Sequence, residues 1–561
     1  MNDNERQLRN KILNSDPIGS GNLCISAGAG AGKTTLLAGR IARQIARGDK
    51  LDTFAIITYT NAATVEMYAK LDKELRELLK KAAGTEKQNV ENALENLESV
   101  QISTIHAFLL RILRENAFES GVTVDAVMLE DDEDKARKER FFNKWYRDNH
   151  NNPEVTTALA IEKITYAWLK NTFVTLADVR DAFVIADRSR MIEQNKEICI
   201  KLQAYFDGID SAVTLKNEPK TALDIIQKYL SSNGDPQLIE TVADQIGVLL
   251  KGDWCKNTSN AGKAANKDLA IWLEKCGFVP YCKESMWGIA VVKAIQPIVR
   301  AYQDEIDAET TELSNNDILY RAQQLIKKYP AVLEKAQKKY TRIYVDEFQD
   351  TSALQADIVK CLACEPGTAY ADCRKEKFKQ DCLVTVGDPK QSIYRFAGAE
   401  LAVYQAFRDN FAKEELVELS ENFRSGSDIV ATVNGFFGNK MNGYQDMNAA
   451  NIVGNESADC VSGFYKMNLA SNQAEQAAAL ILGLKKNQKI YDHDAQSVRG
   501  VVWKDIMVLT KTTSHMSDII TAFQKKGIPV HAAGKWGLRH VEVLQRYVRL
   551  LRGLANYKNK T

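Results

Sequence analysis

Short apolar runs alternate with stretches of helical periodicity along much of this chain. Asn22 to Ser26 (NLCIS) is apolar enough for a buried strand, and Thr34 to Ala46 repeats Leu37, Ile41 and Ile45 on one helix face. The arrangement returns later. Ile343 to Val345 and Leu383 to Val386 predict buried strands, with a helix over Ala353 to Cys364 between them. Strands followed by helices are the elements of an open α/β sheet. Between Leu113 and about Arg300 the pattern turns to helical periodicity with mixed charge. It includes the run EDDEDKARKER from Glu130, which predicts a solvated helix face. Near the end, Glu542 to Asn556 places Val543, Tyr547, Leu550, Leu551 and Leu554 on one face of a further helix.

Composition narrows the class. At 561 residues the chain exceeds one core and predicts about three or four units. Hydrophobic residues at 45% and charged residues at 26% are ordinary for a soluble protein. No apolar run approaches the roughly 18 residues of a membrane span, and the start MNDNERQLRNKIL is too polar for a signal peptide. A cytoplasmic location without a membrane partner is expected. Net charge is +1, so any nucleic-acid surface must be local. The ten cysteines do not form the pattern of a secreted disulfide scaffold. Cys361, Cys364, Cys373 and Cys382 are dense enough for zinc, but a helix ending at Cys364 and a strand opening at Cys382 favour independent buried thiols.

The strand at Asn22 and the helix from Thr34 bracket SAGAGAGKTT, Ser26 to Thr35. A phosphate-cradling loop reads G-x-x-x-x-G-K-[ST]: backbone N–H groups face phosphate oxygens, the Lys reaches the terminal phosphates and the hydroxyl ligates Mg²⁺. Gly32, Lys33 and Thr34 fit, followed by Thr35, while Ala27 stands at the first glycine position. Gly28 and Gly30 remain free to take the left-handed backbone that such a loop needs. A flexible linker is the alternative, but a linker is seldom flanked by a strand and a helix and does not end in Lys-Thr.

A phosphate loop of this kind needs an acidic partner near the γ-phosphate. RIYVDEFQDT, from Arg342, provides it: a short strand delivers Asp346 to hold Mg²⁺ through water, and Glu347 can orient and deprotonate an attacking water. An acidic pair directly after a hydrophobic strand is where open α/β sheets place ligands.

In order along the chain stand AGAGAGKTT, TYTNAATVEM from Thr58, STIHAF from Ser103, VDEFQDTSALQ from Val345, VGDPKQSIYRFAGA from Val386 and LSENFRSGSDIV from Leu419. Together they resemble the superfamily 1A helicases of the UvrD/Rep group, and within it the RecB and AddA helicase-nucleases. The stretch from Trp503 to Gly534 also resembles that family's second motor domain. The resemblance implies P-loop RecA-like motor domains with parallel sheets and large helical insertions. Its plan places motor domain 1A at 1–113 and 301–415, insertion 1B at 114–300, the first part of motor domain 2A at 416–540 and the start of insertion 2B at 541–561.

It also implies roles. Gln391 senses the γ-phosphate, Arg424 is an arginine finger, Phe423 stacks on adenine and Gln7 reads the adenine edge. Tyr394 and Phe396 are the aromatic pair over which bases pass, and Tyr59, Asn61 and His106 touch strand and phosphate. Single strands are bound in this way by stacking plus backbone contacts. Ala397 stands where many relatives place Arg. ATP and Mg²⁺ are the implied cofactors, and single-stranded DNA or a 3′-tailed duplex the implied substrate.

The family's later motifs, a V-x-T-x-H-x-x-K-G-L-E stretch and a second arginine in T-R-A, do not occur before Thr561, nor does a nuclease signature. The native protein is therefore expected to continue, and its expected partner is a nuclease domain or a separate nuclease subunit. The expected activity is 3′-to-5′ translocation and unwinding in repair, recombination or antiphage defence. The alternative is a nucleotide-switched DNA-binding subunit of a nuclease complex that does not itself unwind.

Overall fold

The computed structural model describes residues 3–14, 21–159, 164–178, 188–208, 216–231, 241, 283–393, 401–438, 440–441, 444–450, 472–492, 495, 497–510, 516–532, 547 and 550–551. Two compact units are present, one from Met1–Thr104 with Glu334–Thr561 and the other from Ile105–Leu333.

Eight strands carry the argument: β1 (Leu23–Ala27), β2 (Phe54–Thr58), β3 (Gln101–Thr104), β4 (Val127–Met128), β5 (Glu312–Leu313), β6 (Arg342–Val345), β7 (Leu383–Gly387) and β8 (Leu416–Leu419). In the first unit six of them form one sheet in the order β3-β2-β6-β7-β1-β8. Every pairing in it is parallel. The central strands β2 and β7 are buried at every position, as expected when helices cover both faces. Four helices of this unit are α1 (Asp3–Leu13), α2 (Lys33–Ala46), α3 (Asn61–Leu79) and α4 (Gly84–Glu95). Leu37, Ile41 and Ile45 of α2 enter the same core as Ile25, Ile56, Tyr344 and Val386. The expected α/β RecA-like architecture is therefore present.

Asn22 begins the run read as a strand, yet β1 starts one residue later. Its side chain is used instead as a clamp: Oδ1 accepts the N–H groups of Cys382 and Leu383 at 3.0 and 2.8 Å, and Nδ2 donates to the Lys379 carbonyl at 3.1 Å. This ties the entry of β1 to that of β7.

The plan expected the second motor domain to open at 416. Leu416–Leu419 pairs in register with Cys24–Ala27 as the edge strand of the first sheet. Val417 and Leu419 are buried there. Beyond it, helices Gln473–Asn487 and Met516–Lys525 share a small core of Ala478, Ile481, Ala522, Phe523 and Ile528 beside an antiparallel hairpin of Lys489–Asp492 and Ser497–Gly500. Among the described residues of 420–540, the parallel pairing is the two-residue match of Glu421–Asn422 with Asn448–Ala449.

Among its described residues, the second unit is built of helices, with β4 and β5 as a short parallel pair. It opens with α5 (Ile105–Glu115), and its helix Asp131–Asn149 buries Phe141 and Phe142 against Phe173, Ile295 and Tyr302. The charged run at the start of that helix is not simply solvated. Lys138 Nζ lies 2.6 Å from both Asp134 and Asp178, and Arg137 bridges Asp134 at 2.9 Å and Asp317 at 3.0 Å. Charge periodicity placed these residues on one face; tertiary packing then covered part of it. Of the expected helix over 542–556, Tyr547, Leu550 and Leu551 are described and exposed.

Candidate nucleotide and nucleic-acid site

Because all six strands run parallel, the segments after β1, β6, β7 and β8 leave the same edge of the sheet, where open α/β folds bind ligands. The loop after β1 takes left-handed backbone at Gly30 (φ 75°) and Gly32 (φ 74°). A Cβ at Gly28 would sit 3.3 Å from Met447 Sδ, so the methionine would have to shift by a few tenths of an ångström. Gly32 caps α2 without a side-chain hydrogen bond, so the N–H groups of Lys33, Thr34 and Thr35 at the helix start face outward as an anion site.

After β6, the Asp346 carboxylate is buried and accepts the Glu347 N–H at 3.0 Å. Burial, with the Glu347 charge beside it, pushes the Asp346 carboxyl up to about 6. Adjacent carboxylates held this way favour a divalent cation, since the ion relieves both burial and repulsion. Glu347 has φ 51° and ψ 44°, a left-handed backbone rare for a non-glycine residue and frequent at functional sites. Its Oε2 accepts Lys33 Nζ at 2.9 Å.

The loop after β7 brings Gln391 to the same edge, where its Nε2 donates to Asp388 Oδ2 at 2.7 Å. Lys390 Nζ stands 3.3 Å from Asp388 Oδ1. The segment after β8 docks on the phosphate loop. Asn422 Nδ2 donates to the Ala29 carbonyl and the Phe423 N–H to the Gly30 carbonyl, both at 2.8 Å. A Cβ on Gly30 would fall 2.8 Å from Arg424 Cβ and 2.9 Å from the Asn422 amide, so this approach requires glycine. Arg424 is exposed beside the loop, its N–H donating to Asn422 Oδ1 at 2.9 Å.

Around the Phe423 ring the sequence reading missed a residue. The Arg9 guanidinium sits 4.9 Å over the ring and is held by Glu5, from Nε at 2.9 Å and Nη2 at 2.8 Å. Gln7, on the same helix, is exposed. Glu5 also accepts from Ser420 N and Oγ, each at 3.0 Å, which fixes α1 to the end of β8. The spacing of Glu5 and Arg9 shows a helical ion pair in the sequence, but their target lies more than four hundred positions away, beyond the reach of local pattern.

Of the residues expected to meet DNA, Asn61 opens α3, with Thr60 capping that helix through the Ala63 N–H at 3.1 Å. Tyr59 is half-buried and Asn61 exposed. Val65 and Tyr68, at helical spacing from Asn61, are exposed on α3 and were not read from the sequence. In the second unit, burial holds the half-buried His106 down to about 4, so its imidazole is neutral near pH 7. Tyr394 and Phe396 lie outside the described residues. Cys361, Cys364, Cys373 and Cys382 are buried free thiols, and among the described residues no group of three or more His, Cys, Asp or Glu side chains is arranged to hold a metal ion. Among the described residues, no helix is long and apolar enough to cross a membrane.

A parallel sheet that gathers a glycine-bent phosphate loop, an Asp-Glu pair and a polar loop at one edge defines a P-loop nucleotide-binding protein. Residues 7–412 match the UvrD/REP helicase N-terminal domain, and the chain belongs to that family. It is similar to an ATP-dependent helicase/nuclease subunit of Alkaliphilus oremlandii, at 24% identity over 95% of this chain and 50% of that protein. The protein of the same name from Listeria welshimeri is also 24% identical, with the same coverage. The exonuclease/helicase subunit RexA of Streptococcus pneumoniae is 22% identical over 92% of this chain and 47% of its own length. The chain thus spans about half the length of these curated relatives.

Proposed function

We propose that the protein is an ATP-dependent single-stranded DNA translocase and helicase that moves 3′ to 5′. The observation that carries this reading is the meeting of Lys33 with Glu347 beneath a loop to which Asn422 and Phe423 are bonded. Lys33 and the α2 N-terminus bind the β and γ phosphates, and Thr34 and Asp346 hold Mg²⁺. The ion supplies charge neutralisation at the transferring phosphoryl group. Glu347 orients and deprotonates water, Gln391 senses the γ-phosphate, and Arg424 stabilises charge as it develops. Phe423 receives the adenine, with Arg9 on its other face and Gln7 toward the base edge.

Tyr59, Asn61, His106, Tyr394 and Phe396 contact a single strand or the 3′ tail of a duplex. The motor plan is the one read from the sequence, with β8 assigned to 1A. The names of the relatives, helicase/nuclease and exonuclease/helicase subunits, support partnership with a nuclease domain or nuclease subunit. The same reading has the protein act in the cytoplasm, in repair, recombination or phage defence.

Hydrolysis measured with and without single-stranded oligonucleotides, with strand displacement on 3′- and 5′-tailed duplexes, tests the reading. Many-fold stimulation and displacement from the 3′ tail support it. Slow turnover indifferent to DNA would leave the nucleotide-switched binding protein instead. Phe396→Ala should weaken single-strand binding by roughly 1–3 kcal/mol, alike for different base sequences.

A further inference from the structure

Glu347 is held by more than Lys33. Gln349, 1% exposed, donates from Nε2 to Glu347 Oε2 at 2.9 Å and to Asp350 Oδ2 at 3.1 Å. Its Oε1 accepts the Asp388 N–H at 2.8 Å, and its backbone carbonyl accepts from Ser392 Oγ at 3.3 Å. Both ends of one buried amide are therefore used, one on the segment after β6 and the other on the loop after β7. The fit is close. A Cβ on Gly387 would lie 2.7 Å from Gln349 Oε1 and 3.2 Å from its backbone N.

From Asp388 the connection continues to Gln391 and Lys390. Ser392 and Ile393, the latter 71% exposed, lead directly into Tyr394 and Phe396. Lys33 and Gln349 share one oxygen, Glu347 Oε2. Phosphates entering the loop compete for Lys33, because a lysine in this position serves the terminal phosphates. Gln349 is then the donor of this pair that still fixes the Glu347 carboxylate, and its other end is anchored on the loop after β7.

We propose that Gln349 is a positioning residue that couples Glu347 to the loop Asp388–Ile393, so that a single strand engaging that loop sets the hydrolytic geometry of the carboxylate. This rests on the translocase reading above. It makes Gln349 the route by which DNA accelerates hydrolysis, distinct from the γ-phosphate sensing assigned to Gln391.

The test measures ATP hydrolysis by the full-length protein with and without an oligothymidylate, alongside nucleotide and oligonucleotide affinity. Gln349→Met removes both ends of the link. Gln349→Glu keeps an acceptor for Asp388 and has no N–H for Glu347. Gly387→Ala presses on the amide from the far side and leaves every hydrogen-bonding group in place.

In all three, kcat at saturating oligonucleotide should fall toward the DNA-free rate, by on the order of 10²-fold, the scale of a small misplacement of a reacting group. KM for ATP and oligonucleotide affinity should change far less. Full stimulation in Gln349→Met or Gln349→Glu overturns the coupling alone, as does a loss of nucleotide binding equal to the loss of kcat. A wild-type protein whose hydrolysis ignores single strands overturns the translocase reading and the coupling with it.

Discussion

Lys33 Nζ and Glu347 Oε2 lie 2.9 Å apart, although 314 positions separate them in the chain. The lysine side chain is 10% exposed and the glutamate 32%. The two opposite charges thus neutralise one another, and on the proposed reading a bound nucleotide separates them. Lys33→Ala should abolish hydrolysis while leaving the fold intact, since Lys33 lies outside the hydrophobic core. Circular dichroism and a phosphate-release assay check both halves, and wild-type turnover would remove Lys33 from the site. Glu347→Gln should keep Mg²⁺-ATP affinity through Asp346 and lose roughly 10²- to 10⁴-fold in turnover, the range for a general base. An affinity loss as large as the rate loss would contradict that division of roles.

The Arg9 guanidinium over Phe423 marks a platform already fitted with a planar partner. Phe423→Ala should weaken ATP binding by roughly 0.5–1.5 kcal/mol, the usual worth of an aromatic stack beyond its area. Binding of free triphosphate should hardly change, because Lys33 and the α2 N-terminus are untouched. Competition titrations with ATP and inorganic triphosphate separate the two. Equal losses for both ligands would place Phe423 outside the base site.

His106 gives a signed pH dependence. Its pKa of about 4 in the folded chain lies below the ordinary 6.5, so between those values the unfolded chain takes up a proton that the folded one refuses. Its contribution to stability is therefore present above pH 6.5 and lost as pH falls toward 4. Asp346 and Asp350, pushed up to about 6, act oppositely over 3.8 to 6, where the folded state keeps protons that the unfolded one releases. The His106 effect is visible only by difference. The Tm gap between His106→Gln and wild type should shift in favour of the variant as pH drops through that window, and a gap independent of pH would mean that His106 titrates normally.

In the second unit, the Lys138 side chain is 5% exposed between Asp134 and Asp178. Lys138→Met should destabilise by about 1–3 kcal/mol, because it leaves the half-buried Asp178 without its cation, while Asp134 keeps Arg137. Replacing Asp134, Lys138 and Asp178 together with apolar residues should recover most of that loss. Urea unfolding of the three proteins checks it, and a loss under about 1 kcal/mol for the single change would match a solvated pair instead.

Local chemistry alone specified a good part of this molecule. The buried strands announce themselves as apolar runs, the helix after Gly32 as a 3.6-residue repeat, and the phosphate loop and Asp346-Glu347 pair as short motifs, since each of these depends on neighbours a few residues away. Distant partners settled the rest. Which glycines are hemmed in was settled by distant groups: Asn422 and Arg424 pack where a Cβ on the left-handed Gly30 would stand. Pairing with β1 drew Leu416–Leu419 into the first sheet, because an apolar edge strand is buried wherever a register is available to it. The Arg9 and Gln349 contacts stayed hidden for the same reason: a charged or amide side chain has no sequence signature until the group it bonds is brought alongside. Burial then changed the chemistry itself, holding His106 neutral and Asp346 reluctant to ionise, because the cost of a charge is fixed by the medium around it and not by the residue's name.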